Sequence, residues 1–293
     1  MLKLSIGVTL LVALSGVAFG LLSGSLSIVF DGVFSAIDAA MSGLALFVAR
    51  LVTREPGNRR FQFGYWHIEP MVLAFNGGTL MLLCFYAFLN AVDSFLSGGR
   101  RLEFDWAVAY AVIVASVSFA MCLYARHRNR TIGSDFVRLD VPSWLMSASI
   151  TSALLLAFAA AWLLEGTRWA ALTPYADPAV LTVLTLVLVF VPLRTVRRAL
   201  REILLITPPE LDTQVRAAVA AIVARHGFAG FTSYVAKVGR AQFLEIHVQV
   251  PVDCELGSVV TVDSIRREIA EAIGGESPQR WLTIDFTADP RWL

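Results

Sequence analysis

The amino-acid sequence predicts an α-helical membrane protein: six transmembrane helices followed by a small α+β (α-β-β-α-β) cytoplasmic C-terminal domain. Of the 293 residues, 57% are hydrophobic and only 16% are charged, whereas soluble domains carry roughly 25% charged residues. Several apolar runs also exceed the length of about 18 residues that is typical of a membrane span. We expect a transmembrane domain over residues 1–206 and a cytoplasmic regulatory or dimerisation domain over residues 207–293.

Six apolar runs define the predicted spans, and they follow one another with short polar connections. The spans lie at residues 4–24, 27–52, 70–96, 105–125, 142–165 and 177–200. The first run begins close to Met1 and lacks a clear small-x-small cleavage site. We therefore interpret it as a retained first helix and not as a signal peptide.

Arginines in the connections set the predicted topology. The residues that follow spans two, four and six include Arg50, Arg54, Arg59, Arg60, Arg126, Arg128, Arg130, Arg138, Arg194, Arg197, Arg198 and Arg201. The opposite connections hold only Arg100, Arg101 and Arg168. Because positively charged loops stay in the cytoplasm, we expect a multi-pass protein of the inner membrane with both termini cytoplasmic.

The composition changes at Pro208-Pro209, which we expect to end the sixth span. The rest of the chain alternates as a helix, two strands, a helix and a strand, at residues 210–226, 229–238, 242–250, 258–273 and 281–287. A domain of about 85 residues is too small to be a large enzyme domain. One face of its sheet needs a cover, which fits a dimer contact.

Span two carries the two carboxylates Asp31 and Asp38. They are seven residues apart and so share a helix face. A charged side chain in the bilayer core costs about 2.5–3.5 kcal/mol on insertion scales, which favours a functional role. We interpret Asp38, the deeper of the two, as a cation or proton site. For Asp31, nearer the outer side, polar packing and a functional role are equally supported.

Spans three and five contribute further polar candidates. Asn76 precedes two glycines, and its amide oxygen is either a cation ligand or a partner in helix packing, of which packing is favoured. Span five begins with Asp140, and Ser143 and Ser147 follow on one face. Small hydroxyl residues taken alone favour close helix packing.

Two residues before span three are also candidates. His67 and Glu69 lie in the connection that leads into this span. A metal site there would need more ligands than the segment supplies. We expect Glu69 to fix the loop or the helix start, with Arg59 or Arg60 as its partner.

Short segments along nearly the whole chain resemble the cation diffusion facilitator family. They are Gly24-Ser25-Leu26-Ser27-Ile28 with Asp31, Phe63-Gly64-Tyr65 with Glu69, Arg138-Leu139-Asp140, Asp177-Pro178, and Phe243-Leu244-Glu245-Ile246-His247. Their order and spacing together carry the resemblance. It implies a four-ligand transport site, with one pair of side chains on span two and another on span five, which holds zinc tetrahedrally.

In this chain the four positions implied by the resemblance are Phe34, Asp38, Ser143 and Ser147. One carboxylate, two hydroxyls and a phenyl ring lack the nitrogen and sulfur donors that suit zinc. Three interpretations stay open. The site takes a harder cation with Asn76 or water; or Asp31 joins Asp38; or the protein does not transport and acts through a partner.

The resemblance also implies extra metal sites in the cytoplasmic domain. His247 matches a ligand histidine, and Asp285 falls where many members have a histidine. The remaining positions are Ser233 or Thr232 and Val259. Two ligands would bind metal weakly, so we favour a half-buried strand histidine over a metal centre.

The resemblance implies secondary-active efflux of a divalent metal cation from the cytoplasm, with protons as the coupling ion. The alternative is a transport-silent partner or regulatory subunit in a membrane complex. The resemblance implies a homodimer and leaves a heterodimer open, and membrane lipid is the other expected partner. We expect no permanently bound cofactor, no nucleic-acid partner and no enzymatic activity, since the sequence has no Gly-rich phosphate loop and no HExxH motif.

Overall fold

The structure, a computed structural model, describes residues 2–54, 64–132, 135–164, 167–275 and 277–293. Its α-helices are α1 (Leu2–Ser23), α2 (Leu26–Arg54), α3 (Ile68–Leu96), α4 (Phe104–Ile132), α5 (Asp135–Leu164), α6 (Ala176–Leu188), α7 (Phe190–Ile203), α8 (Pro209–His226) and α9 (Val259–Ala272). Its strands are β1 (Gly230–Val238), β2 (Ala241–Gln249) and β3 (Arg280–Thr287). Short 3₁₀ turns span Ala170–Tyr175 and Pro290–Trp292.

Five stretches among the described residues are long and apolar enough to cross a membrane: Leu4–Ser23, Ile68–Leu96, Phe104–Arg128, Trp144–Leu164 and Ala170–Ile203. They confirm the predicted fold class, a helical membrane protein with a small C-terminal sheet domain. Helix α2, which carries Asp31 and Asp38, is not among these five. The count of six spans therefore stays a prediction.

The chain divides into two compact units. One consists of Met1–Leu46 and Phe75–Val196, and the other of Phe47–Ala74 and Arg197–Leu293. The second unit holds the α+β domain together with the end of α2 and the start of α3. The predicted domain boundary at residue 206 stays a prediction.

The first unit has a core of large apolar side chains, among them Ile28, Tyr110, Leu154 and Phe158. Small residues bring α1 and α2 close together. A Cβ atom added at Gly16 would lie 2.7 Å from the Cα of Gly32. The two backbones are therefore in direct contact, as is typical of small-residue helix interfaces in membranes.

Asp177, near the start of α6, caps the N-terminus of α2. Its carboxylate accepts hydrogen bonds from the Ser25 hydroxyl at 2.5 Å, from the Leu26 N–H at 3.0 Å and from the Ser27 N–H at 3.2 Å. The Ser27 hydroxyl donates to the Asp177 carbonyl oxygen at 3.0 Å. Asp177 is only 1% exposed. A buried carboxylate thus satisfies N–H groups that the first turn of a helix leaves without partners, and its charge matches the helix dipole.

The last apolar run is not one helix. The predicted span over 177–200 lies within the apolar stretch Ala170–Ile203, but it is not the uninterrupted helix we expected, because α6 ends at Leu188 and α7 begins at Phe190. Pro192 explains the break, because proline has no N–H to donate to the carbonyl of residue 188 and its ring crowds that carbonyl.

Our expectation that Pro208-Pro209 ends this helix is also wrong. Helix α7 ends earlier, at Ile203. Leu205 takes a positive φ of 54°, and the Ile206 N–H closes the last turn on the Arg201 carbonyl at 2.9 Å. The two prolines instead begin α8, with Pro208 as the N-cap residue and Pro209 in the first turn, where a missing N–H has no cost.

The C-terminal domain has the predicted α-β-β-α-β order. Strands β1 and β2 are antiparallel, β2 and β3 are parallel, and the strand order is β1-β2-β3. Leu244, Ile246 and Val248 of β2 are fully buried in a core that α8 and α9 complete. On the other face of the sheet, Tyr234 is 55% and Trp281 49% exposed.

Replacing Asp177 with alanine should lower the free energy of unfolding by about 1–3 kcal/mol, because three donors at the start of α2 lose a buried acceptor. Reversible unfolding of the purified protein in mixed micelles measures this. Asp105→Ala is the matched control, since Asp105 is an exposed carboxylate in the first turn of α4. Equal losses of unfolding free energy in the two variants would show that the Asp177 cap stabilises the protein no more than an exposed first-turn carboxylate does.

Candidate functional site

Asp31 is a buried carboxylate with one hydrogen-bond donor. It is 7% exposed, and the Tyr110 hydroxyl of α4 donates to its Oδ2 atom at 3.0 Å. Gly16 leaves room for this pair, because a Cβ atom there would lie 2.9 Å from the Tyr110 hydroxyl. Asp31 therefore joins α2 to α4. Tyr110 was not predicted, although a tyrosine within an apolar span is a signal for a buried hydrogen bond.

Asp38 has a different environment. Its side chain is exposed, and it forms no hydrogen bond or ion pair within the described part of the chain. The two carboxylates of α2 thus differ: that of Asp31 is engaged in helix packing, whereas that of Asp38 is available to a cation or a proton.

Phe34 belongs to the hydrophobic core. It lies one turn before Asp38, packs against the core cluster of the first unit, and its ring centroid is 5.8 Å from that of Phe30. A phenyl ring has no donor atom for a metal. The position for which the resemblance implies a ligand is thus a packing position in this structure.

Ser147 links α5 to α4. Its hydroxyl lies 3.2 Å from that of Ser118, and its carbonyl accepts a hydrogen bond from the Thr151 hydroxyl at 3.0 Å. This geometry agrees with the packing interpretation of Ser147. Ser118 is fully buried and was not predicted. The side chains of Asp140 and Ser143 lie outside the described residues.

Asn76 has an unused oxygen. Its Oδ1 atom is buried without a hydrogen-bond partner among the described residues. The adjacent Gly77 packs closely, since a Cβ atom there would lie 2.5 Å from a methyl carbon of Val196. The close helix packing expected of this segment therefore occurs at Gly77. The amide oxygen keeps a lone pair of the kind that hard cations bind.

Glu69 lies in the first turn of α3, and its described partner is in the C-terminal domain. Its Oε1 atom is 3.6 Å from Nε of Arg240, in the turn between β1 and β2. The neighbouring Gly239 N–H donates to Glu202 at 3.0 Å. Arg59 and Arg60, the expected partners, lie outside the described residues. His67 is exposed and precedes the same helix.

His247 and Asp285 form a cross-strand pair. They are register partners on β2 and β3, and Nδ1 of His247 lies 2.8 Å from Oδ1 of Asp285. Thr232 of β1 is opposite His247, while Ser233 is buried and Val259 is exposed. Among the described residues, no group of three or more His, Cys, Asp or Glu side chains could hold a metal ion. The pair is hydrogen-bonded within the sheet.

The membrane domain matches a known family model. The model, a cation efflux transmembrane domain, covers residues 2–204, which is more than half of the chain. The protein belongs to the cation efflux family. Membership confirms the resemblance to the cation diffusion facilitators and our prediction of a membrane transport protein, since this is a family of transporters and not of enzymes.

Three relatives resemble parts of this cation efflux protein. The zinc transporter ZitB of Pectobacterium atrosepticum is 28% identical over 204 residues, 67% of this chain and 58% of that protein. The magnetosome protein MamB of Magnetospirillum gryphiswaldense is 27% identical over 105 residues, 36% of this chain and 35% of that protein. An uncharacterised protein in the glgB 5' region of Geobacillus stearothermophilus is 34% identical over 82 residues, 28% of this chain and 75% of that protein. The chain thus spans less than two thirds of ZitB and of MamB.

Replacing Tyr110 with phenylalanine should lower the free energy of unfolding by about 1–3 kcal/mol, because the buried Asp31 carboxyl loses its donor. Unfolding in mixed micelles measures the loss. Tyr124→Phe is the control, since Tyr124 lies on the same helix with an exposed side chain. A Tyr110 variant as stable as the wild type would mean that the hydrogen bond does not contribute.

Proposed function

We propose that this protein exports a divalent metal cation from the cytoplasm by secondary active transport, and that the carboxylate of Asp38 binds the cation. The observation that carries this proposal is the family match over residues 2–204. The exposed Asp38 carboxylate on α2, which has no partner among the described residues, supports it. A lone ionisable side chain on a membrane helix marks an ion or proton pathway by default.

The donor atoms favour a hard cation. ZitB is named as a zinc transporter, but Phe34 takes the place of one ligand here, and the nearby candidates offer oxygen alone. Carboxylate, amide and hydroxyl oxygens together with water suit magnesium or manganese better than zinc. In this proposal Asp38 supplies the charge, and Asn76 and Ser143 supply neutral oxygens. Asp31 and Ser147 already share hydrogen bonds with Tyr110 and Ser118.

Protons are the proposed counter-ion. A carboxylate that binds a divalent cation must first lose any proton it holds, so cation binding and proton release are linked at Asp38. Alternating exposure of this site to the two sides of the membrane would exchange one ion for the other. The arginine-rich connections support an orientation with both termini in the cytoplasm of the inner membrane.

A homodimer is the proposed assembly. Among the described residues of the C-terminal domain, Tyr234 is exposed on the outer face of the sheet, and exposed aromatic side chains are enriched at protein interfaces. A second copy of this chain would cover that face, and a heterodimer with a related chain would do so equally.

The second candidate is a transport-silent subunit. It is favoured by Phe34 in the core and by the Ser147–Ser118 hydrogen bond, which together remove two of the four family ligand positions. In this case the protein would stabilise or regulate a partner in a membrane complex.

Transport in proteoliposomes tests the first proposal. We expect uptake of manganese or magnesium driven by a pH gradient, and at least a tenfold loss of rate in Asp38→Asn, because the amide keeps the shape but not the charge. Asp93→Asn is the control, since Asp93 is an exposed aspartate in α3. Wild-type rates in Asp38→Asn would refute the role of Asp38.

Calorimetry separates the two candidates. Magnesium, manganese, iron, cobalt and zinc are each titrated into the purified protein. Binding that Asp38→Asn abolishes supports transport through this site. If none of these ions binds to the wild type and none is transported, the transport-silent role is the correct one.

A further inference from the structure

Helix α7 carries a stripe of arginines. Arg194, Arg197, Arg198 and Arg201 follow one another at intervals of three, one and three residues, which places them along one face of the helix. All four side chains are exposed. This stripe gives the helix a concentrated positive charge on one side.

Most of this charge is not neutralised by the protein. Nε of Arg198 lies 3.1 Å from the Glu202 carboxylate. Arg194, Arg197 and Arg201 form no ion pair within the described part of the chain. Three guanidinium groups are therefore available to an anion from outside the chain.

A strip of leucines runs beside the arginines. Leu193, Leu200 and Leu204 are 41%, 45% and 68% exposed. Leu193 and Leu200 lie on a neighbouring face of α7, and Leu204 follows in the turn after the helix, where its N–H donates to the Leu200 carbonyl at 2.9 Å. Pro192 and Ala199 form the buried side. The exposed surface of α7 thus offers an apolar strip next to a cationic one.

The position of the stripe along the chain matches the edge of a bilayer. The apolar stretch Ala170–Ile203 is 34 residues long, but about 20 helical residues cross the hydrocarbon core. A helix that enters the hydrocarbon core at the start of α6 therefore leaves it close to residue 195. The arginines therefore begin where the helix reaches the lipid headgroups, and the leucines lie within reach of the acyl chains.

We infer that α7 forms a binding site for an anionic phospholipid, beyond the transport function proposed above. The headgroup phosphate binds Arg197 and Arg201, and an acyl chain lies along Leu200 and Leu204. The planar guanidinium suits bidentate phosphate binding, and basic clusters at the cytoplasmic end of a span attract anionic lipids. A free phosphate ion would leave the leucine strip uncovered, which is why a lipid is the occupant.

Native mass spectrometry of the full-length protein in detergent tests this site. Phosphatidylglycerol and phosphatidylcholine with identical acyl chains are titrated separately. We expect the double variant R197Q/R201Q to bind phosphatidylglycerol at least tenfold more weakly, because two charges are removed from the headgroup contact. R197K/R201K keeps the charge but not the bidentate geometry, so it should lose less affinity than R197Q/R201Q, and it also shows whether substitution here unfolds the protein.

The matched control is R126Q/R128Q, which removes two exposed arginines from the end of α4. It should change phosphatidylglycerol binding less than twofold. An equal loss in both double variants would overturn the site, because the effect would then follow from overall positive charge. Equal binding of phosphatidylglycerol and phosphatidylcholine by the wild type would overturn it as well.

The leucine strip has its own test. L200S/L204S keeps every arginine and should weaken phosphatidylglycerol binding at least tenfold. Millimolar inorganic phosphate should fail to displace the lipid. Unchanged affinity in L200S/L204S, or full displacement by phosphate, would contradict a lipid site. Neither readout depends on transport, so these outcomes are independent of the proposed function.

Discussion

The buried carboxylate of Asp177 determines where α2 begins. It collects two backbone N–H groups and a serine hydroxyl at the helix start, and this fixes the first turn of α2 against the first turn of α6. Every residue of α2 is then placed by helical geometry from that turn. Asp31 is directed to Tyr110, Phe34 to the core, and Asp38 to a surface that the described residues leave open. The candidate site thus depends on a contact between segments far apart in sequence.

The two carboxylates of α2 have different environments. Asp31 is nearly inaccessible and receives a hydrogen bond from a fully buried tyrosine, so it contributes to helix packing. Asp38 has no such partner. Asn76 and Gly77 differ in a similar way. The Asn76 amide oxygen has no hydrogen-bond partner among the described residues, whereas Gly77 allows close helix packing. In the site proposed above, oxygen donors suit a hard cation, and Phe34, one turn before Asp38, supplies no ligand atom.

Local patterns in the sequence predict much of this fold. Two strands of the C-terminal domain, predicted at 242–250 and 281–287, are observed at Ala241–Gln249 and Arg280–Thr287. Strands can be predicted in this way because the alternation of buried and exposed residues depends only on neighbouring positions. Helix α8 ends at His226, and Gly227, its C-cap residue, is by itself a sequence signal for a helix end. The break before α7 had a local signal in Pro192, but the continuous apolar run concealed it.

Pairings between distant residues could not be predicted in this way. Tyr110 with Asp31, Ser118 with Ser147, and Arg240 with Glu69 each join segments that no periodicity connects. The resemblance to the cation diffusion facilitators singled out the segments that contain Ser25 and Asp177, but it did not say that they bind each other. In the candidate site, the sequence therefore identified residue types and positions, and the structure showed which of them are already occupied.

The contact between Gly16 and Gly32 has a mechanical consequence. Where two helix backbones touch with no side chain between them, neither helix can tilt away without opening a gap that nothing nearby can fill. Any displacement of α2 that exposes Asp38 to one side of the membrane must then carry α1 with it. The Asp31–Tyr110 hydrogen bond joins α4 to the same pair, and a rigid cross-link between α1 and α2 should therefore be compatible with motion of α2.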